Sequence, residues 1–179
     1  FDQLAEIPEN DKPTFVFAHL LVTHPPYVFE ADGSFLPSEE SQQRSERDNY
    51  VSQMTAANSM LEKLIDQLLS MSEVKPIIIL QADEGPYPDR LLEENRSFDW
   101  SEATGAELRQ KLGILNAYYL PGVDSSALYP SITPVNSFRL VFNLYFGTGL
   151  DLLPDINYAY EDFDYPYRYL DVTDRVERP

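Results

Sequence analysis

Two carboxylates and a glycine, Asp83-Glu84-Gly85, directly follow the apolar run Pro76-Ile77-Ile78-Ile79-Leu80-Gln81-Ala82. A short β-branched run ending this way predicts a buried strand that opens onto a site. A second apolar run, Phe15 to Val22, leads into Thr23-His24-Pro25-Pro26-Tyr27. Carboxylates and imidazole can hold a divalent metal, and such an ion activates water or polarises a phosphoryl oxygen. His24, Asp83 and Glu84 are therefore the candidate site residues. Two carboxylates after a strand also suit ordinary loop capping and solvation, so both readings stay open at the level of residue types. His19 falls mid-run among apolar neighbours and reads as a hydrogen-bonded core histidine.

These residues must be positioned by the elements that precede them. Thr14–Val22 is apolar at both alternating sets of positions, the pattern of a strand covered on two faces. A helical pattern runs from about Ser41 to Met71, with Val51, Met54, Ala57, Leu61, Leu64, Ile65 and Leu68 in one stripe. The order strand, helix, strand over 14–22, 43–71 and 76–82 predicts a parallel pair with a right-handed crossover. That topology would bring His24 and Asp83-Glu84 to one sheet edge, outside the carboxyl ends of the strands. The expected fold class is α/β, a three-layer sandwich with a mostly parallel sheet.

Composition narrows the function. The chain has 179 residues, 43% hydrophobic, which suits one domain with a real core. Its formal net charge of −17 repels phosphate backbones and anionic headgroups, so nucleic acid is not an expected partner. There is no cysteine, which removes disulfides and thiolate metal sites. No apolar stretch approaches the roughly 20 residues of a membrane span. The first residue is Phe1, so the expectation is a trimmed or processed piece with any targeting segment upstream.

Residues 1–13 read as a polar entry segment. Residues 85–105, with Pro86 and Pro88, read as a polar loop of the length often used as a lid or rim. Asn95-Arg96-Ser97 fits a glycosylation sequon, a common chance triplet. A short helix is expected near Ala106–Lys111 and a third strand over Ile114–Leu120, stopped by Pro121-Gly122. A further helix starts with Thr133 as cap and Pro134 in its first turn, presents Val135, Phe138, Val141, Phe142 and Tyr145, and stops at Gly147. The Tyr- and Asp-rich end, 156–179, reads as an edge strand or hairpin with a loosely packed tail. No Ser sits in a nucleophile elbow, and no glycine-rich phosphate loop is present. No residue is singled out for an organic cofactor. A glycosidase carboxylate pair stays open, because acids are abundant and none stands apart.

The segment from Pro13 to Tyr27 resembles the strand and His-x-Pro-like segment of the sulfatase-like branch of the alkaline phosphatase superfamily. Sulfatases, lipoteichoic acid synthases and phosphoethanolamine transferases belong to that branch. His19 and His24 are spaced like the two histidines often found there. Gln81-Ala82-Asp83-Glu84-Gly85 is similar to the family's Asp-His-Gly segment, which supplies two metal ligands. The helix Tyr50–Leu69, the strand Leu112–Pro121 and the helix Ser131–Gly147 follow in family order, so the resemblance covers most of 13–155.

The resemblance implies an alkaline-phosphatase-like fold, truncated on its N-terminal side, acting on a sulfate or phosphate ester. It implies His24 as a contact to substrate or leaving group and Asp83 as a ligand of a divalent metal, with Glu84 carried over by position. His19 becomes a structural neighbour of the site. The family's nucleophile and first metal carboxylate lie on strands before the His-Pro segment, and these residues match neither. The piece alone is therefore expected to be inactive. The family setting implies an extracytoplasmic protein, anchored to a membrane through an upstream segment. The His-to-Glu departure in Asp-Glu-Gly supports a competing expectation, a degenerate domain kept for binding or scaffolding.

Overall fold

The computed structural model describes residues 1–9, 12–94, 98–161 and 163–177. The Asn95-Arg96-Ser97 triplet lies outside the described residues. The chain divides into two compact units, Phe1–Pro76 and Ile77–Pro179.

In the first unit, short helices α1 (Asp2–Ala5) and α2 (Ser38–Ser41) precede the long helix α3 (Glu46–Met71). Ser45 caps α3 by accepting from the Asp48 N–H at 3.1 Å, and Glu46 and Asp48 place negative charge at its positive end. Ala57 and Leu64 of the expected stripe are buried, Met54, Leu61, Ile65 and Leu68 are half-buried, and Val51 is exposed. Ala56, Asn49 and Gln53 complete the buried face. That face meets α1 and the 3₁₀ turn Ile7–Glu9, together with a tight hairpin at residues 28–36. The hairpin closes through an antiparallel bridge between Phe29 and Phe35. Gly33 turns it at φ +86°, a region that favours glycine, and Leu36 beside it is fully buried.

The expected first strand is absent. Thr14–Val22 joins no ladder among the described residues, and Phe15 and Phe17 are 77% and 80% exposed. The physical reason is the lack of a neighbour: an extended run is stable in water only when its backbone groups pair and one face is covered.

In the second unit, β1 (Ile78–Gln81) pairs with β2 (Asn116–Tyr119), and the pair is antiparallel, with Ile78 opposite Tyr119 and Gln81 opposite Asn116. The parallel neighbour expected at Thr14–Val22 is thus replaced by a strand from further along the chain. The second sheet, β3 (Tyr158–Tyr160) with β4 (Tyr169–Asp171), is also two-stranded and antiparallel. Helices and strands do alternate, but the described residues form two small ribbons and no mostly parallel, three-layer sheet.

Helices α4 (Asp89–Glu94) and α5 (Gly105–Leu112) lie between β1 and β2, and α6 (Pro134–Phe146) and α7 (Thr173–Glu177) complete the unit. The stretch read as a lid is instead core. Leu91, Phe98, Trp100 and Ala103 bury with Leu108, Ala159 and Val172 in one cluster. Phe98 and Trp100 meet edge to face at 4.9 Å between ring centres. Ala159 and Val172 come from the expected tail, which forms the predicted hairpin and is anchored in the core where loose packing was expected. The Trp100 N–H accepted by the Glu161 carbonyl at 2.9 Å ties the two halves of this core together.

Helix α6 begins and ends where expected, with Thr133 at the cap position and Gly147 in the left-handed region at φ +61°. Its capping differs. The Thr133 side chain caps nothing; Asp155 reaches in from a later loop and accepts from the Thr133 N–H at 2.7 Å and its hydroxyl at 2.6 Å. The buried face also differs, comprising Asn136, Ser137, Leu140 and Val141, while Val135, Phe138 and Phe142 are exposed. The polar pair is buried because it is satisfied. Asn136 exchanges two hydrogen bonds with the Leu153 backbone, and Ser137 joins Gln81 and Tyr118.

Candidate functional site

The candidate residues divide between the units. His24 lies in the first, on a turn closed by its own N–H to the Leu21 carbonyl at 3.0 Å. Buried Gln53 of α3 fixes this turn and the hairpin after it. Its Nε2 donates to the His24 carbonyl at 3.3 Å, and its Oε1 accepts from the Val28 and Phe29 N–H groups at 2.7 and 3.2 Å. The Pro25–Pro26 peptide is cis. His24 Nδ1 lies 2.6 Å from the Pro25 carbonyl oxygen. A carbonyl only accepts, so this contact calls for the proton on Nδ1 and leaves Nε2 outside it. His19 lies in the exposed run 14–22, so the satisfied core histidine expected there is not formed.

Asp83 and Glu84 lie in the second unit, just past β1. The Ala82 N–H still bonds to the Leu115 carbonyl at 2.9 Å, so the ladder holds the chain up to the carboxylates. Beyond them the chain is pinned to the C-terminal turn of α5. The Gly85 N–H donates to the Lys111 carbonyl at 2.7 Å, and Gln110 Nε2 donates to the Tyr87 carbonyl at 3.0 Å. Any Cβ at Gly85 would run into the Gln110 carbonyl oxygen, so only glycine allows this approach.

The same turn delivers a buried cation. Lys111 Nζ lies 2.5 Å from Glu84 Oε2 and 3.4 Å from the centre of the Tyr87 ring. Burial pushes the Lys111 ammonium below its ordinary pKa, with Glu84 pulling the other way. Burial, and then the Glu84 charge, pushes the Tyr87 phenol up. Asp83 makes one local contact, its Oδ1 accepting from the Glu84 N–H at 3.0 Å. It also lines an open cleft of about 230 Å³ whose walls include Leu112, Ile114, Val135 and Tyr158.

The structure therefore joins Asp83 to Glu84 and adds two residues that sequence reading missed, Lys111 and Tyr87. A signal for Lys111 was present. It falls three residues after Leu108 and one before Leu112, on the inward side of α5, where a lysine must find a partner.

Asp83 and Glu84 offer hard oxygen donors, suited to a cation of the calcium, magnesium or manganese type. Among the described residues, no group of three or more His, Asp or Glu side chains is gathered closely enough to hold an ion. The pair by itself does not make a metal site, and Glu84 is already paired with the Lys111 ammonium.

No curated protein and no solved structure matches the chain significantly. The sequence profile described as Sulfatase matches residues 1–132. The matched span contains His24, Asp83, Glu84 and Lys111 and about three quarters of the chain, and on that ground the chain belongs to the sulfatase family.

Proposed function

We propose that this chain forms part of a sulfatase-family hydrolase or transferase that acts on sulfate or phosphate esters. In this reading Asp83 and Glu84 contribute carboxylates to a divalent metal site, and His24 contacts the leaving group. The observation that carries it is the carboxylate pair held rigidly at the end of β1, within the span matched to the family. A divalent ion there would offset the negative charge that builds on the transferred group. The chain's own contribution is positional. β1 and the pinned Gly85 loop orient the carboxylates, and the Gln53 clamp and the Pro25 carbonyl leave His24 Nε2 ready to exchange a proton with an ester oxygen.

These residues alone are not expected to turn over an ester, because none of them matches the family's nucleophile. An extracytoplasmic setting with a membrane anchor outside these residues follows from the same resemblance. No described helix is long and apolar enough to cross a membrane.

The Glu84–Lys111 ion pair favours a second reading, a non-catalytic domain whose metal ligand has become a structural partner. Manganese titration followed by electron paramagnetic resonance separates the two. Binding that is lost in Asp83→Asn and weakened in Glu84→Gln supports the catalytic reading. Binding that is unchanged in the Asp83→Asn and Glu84→Gln double variant favours the second, because the metal is then held elsewhere.

A further inference from the structure

We propose that the outer face of the β3–β4 hairpin is a docking surface for an arginine-bearing, basic segment of a partner protein, with Tyr158, Tyr169 and Asp171 as its contacts. None of these residues takes part in the ester chemistry proposed above, so the two readings stand or fall separately.

The second unit holds three of its cations in one way, between the face of an aromatic ring and a carboxylate. Arg90 lies 4.5 Å from the centre of the Phe98 ring and 2.9 Å from Glu107. Lys111 lies 3.4 Å from the centre of the Tyr87 ring and 2.5 Å from Glu84. Arg168, on the hairpin itself, lies 3.8 Å from the centre of the Tyr165 ring and 3.2 Å from Glu161. The ring attracts a cation through its quadrupole and the carboxylate through its charge, so the two act together.

A fourth set of the same parts meets no cation among the described residues. Antiparallel pairing puts Tyr158 opposite Asp171 and Tyr160 opposite Tyr169, and residues directly opposite share a face. Ala159, between the two tyrosines of β3, is buried on the other face. The Tyr158 and Tyr169 rings meet at 63° with 6.2 Å between centres, so they form two walls of a corner. They are 53% and 64% exposed. Asp171 is exposed beside them, anchored by the Thr173 N–H that it accepts at 3.0 Å. The net charge of −17 draws a basic partner and repels an acidic one. Arginine suits the corner better than lysine, because a planar guanidinium lies flat on a ring while its edge bonds a carboxylate.

The test uses the 179-residue chain at about 150 mM salt, where long-range charge effects are screened. The probe is a fluorescent triarginine peptide, with its lysine and citrulline analogues, and binding is read by anisotropy. Triarginine should bind more tightly than trilysine, and the uncharged citrulline peptide should not bind. Tyr158→Leu and Tyr169→Leu keep apolar bulk and remove the aromatic face. Each should weaken triarginine binding about two- to five-fold, the size of an exposed cation–π contact. Asp171→Asn keeps an acceptor for the Thr173 N–H and should weaken binding by a similar factor.

Equal affinity for the arginine and lysine peptides, unchanged in both leucine variants, would leave only the overall charge as the cause and would overturn the docking surface. Failure of triarginine to bind, or equally tight binding of the citrulline peptide, would overturn it as well, and neither result depends on a variant.

Discussion

Two apolar runs that read alike in sequence, Phe15–Val22 and Pro76–Ala82, end up in different states. The second becomes β1, half-buried, with β2 as its ladder partner. The first is extended and exposed, outside every ladder among the described residues. Composition and alternation are strand-compatible in both. The difference is what lies downstream. The second run has a return segment, Ile114–Leu120, that α4 and α5 bring back alongside it. Apolar character gives a run the capacity to be a strand; a neighbour at the right register makes it one. The site residues follow their runs. Asp83 and Glu84 are held by a ladder and a helix end, and His24 is held by side-chain contacts from α3.

The contrast is broken most forcefully by attacking the core of the second unit. Trp100 is 2% exposed and stacks edge-on against Phe98 and Tyr160. Trp100→Ala should cost the second unit about 3–5 kcal/mol. Phe17→Ser in the exposed run should change stability by less than about 0.5 kcal/mol. Urea denaturation followed by circular dichroism checks both. A large loss at Phe17 would mean that Thr14–Val22 is covered after all. Gly85→Ala comes next. Its methyl meets a backbone carbonyl that cannot rotate away, so a loss of about 3 kcal/mol is expected, at the upper end of overpacking costs. Thermal unfolding measures the loss, and manganese affinity should fall with it as the carboxylates shift.

How far the sequence could be read follows from the same physics. Local signals were legible: the short helix near Ala106–Lys111, the Pro134 start and Gly147 stop of α6, the β2 strand and the C-terminal hairpin are each written in a few adjacent residues. Pairing was not. Nothing near Pro76–Ala82 says whether its neighbour is Thr14–Val22 or Ile114–Leu120, because that choice is made by contacts far apart in sequence. The core role of Phe98 and Trp100 was hidden by the prolines and acids around them, which marked a loop. Lys111 was hidden by its charge, which ordinarily marks a solvated face.

A smaller effect probes those distant contacts at the start of α6. Asp155 accepts from Tyr129, Thr133 and Asn136, and these hydrogen bonds hold its carboxyl below the usual range although burial opposes them. Asp155→Asn removes the charge-assisted part and should cost about 1–2 kcal/mol. Thr133→Val should cost less, since the Thr133 hydroxyl only donates to Asp155 and its side chain does not cap the helix. If Thr133→Val proved the more damaging in thermal unfolding, the capping would belong to Thr133.

The smallest effect lies in the pH dependence of the second unit. Glu107 closes the α5 capping box and receives Arg90 at 2.9 and 3.1 Å. Arg90 is the main cause, and Thr104 a lesser one, of a Glu107 carboxyl lowered to about 2. A carboxylate with a depressed folded-state pKa stabilises above its unfolded value, near 4.3, and that stability is lost as pH falls from there toward 2. The helix that carries Lys111 should therefore loosen over this acid window, while the first unit, with no described carboxyl lowered as far, keeps α3. Glu107→Gln should flatten the acid limb and leave the difference between pH 6 and 7 unchanged, because Glu107 is ionised in both folded and unfolded chains there. Hydrogen exchange of α5 amides between pH 2 and 5, set against that of α3, reads the difference. An acid limb of the same steepness in Glu107→Gln would assign the loss to other carboxylates.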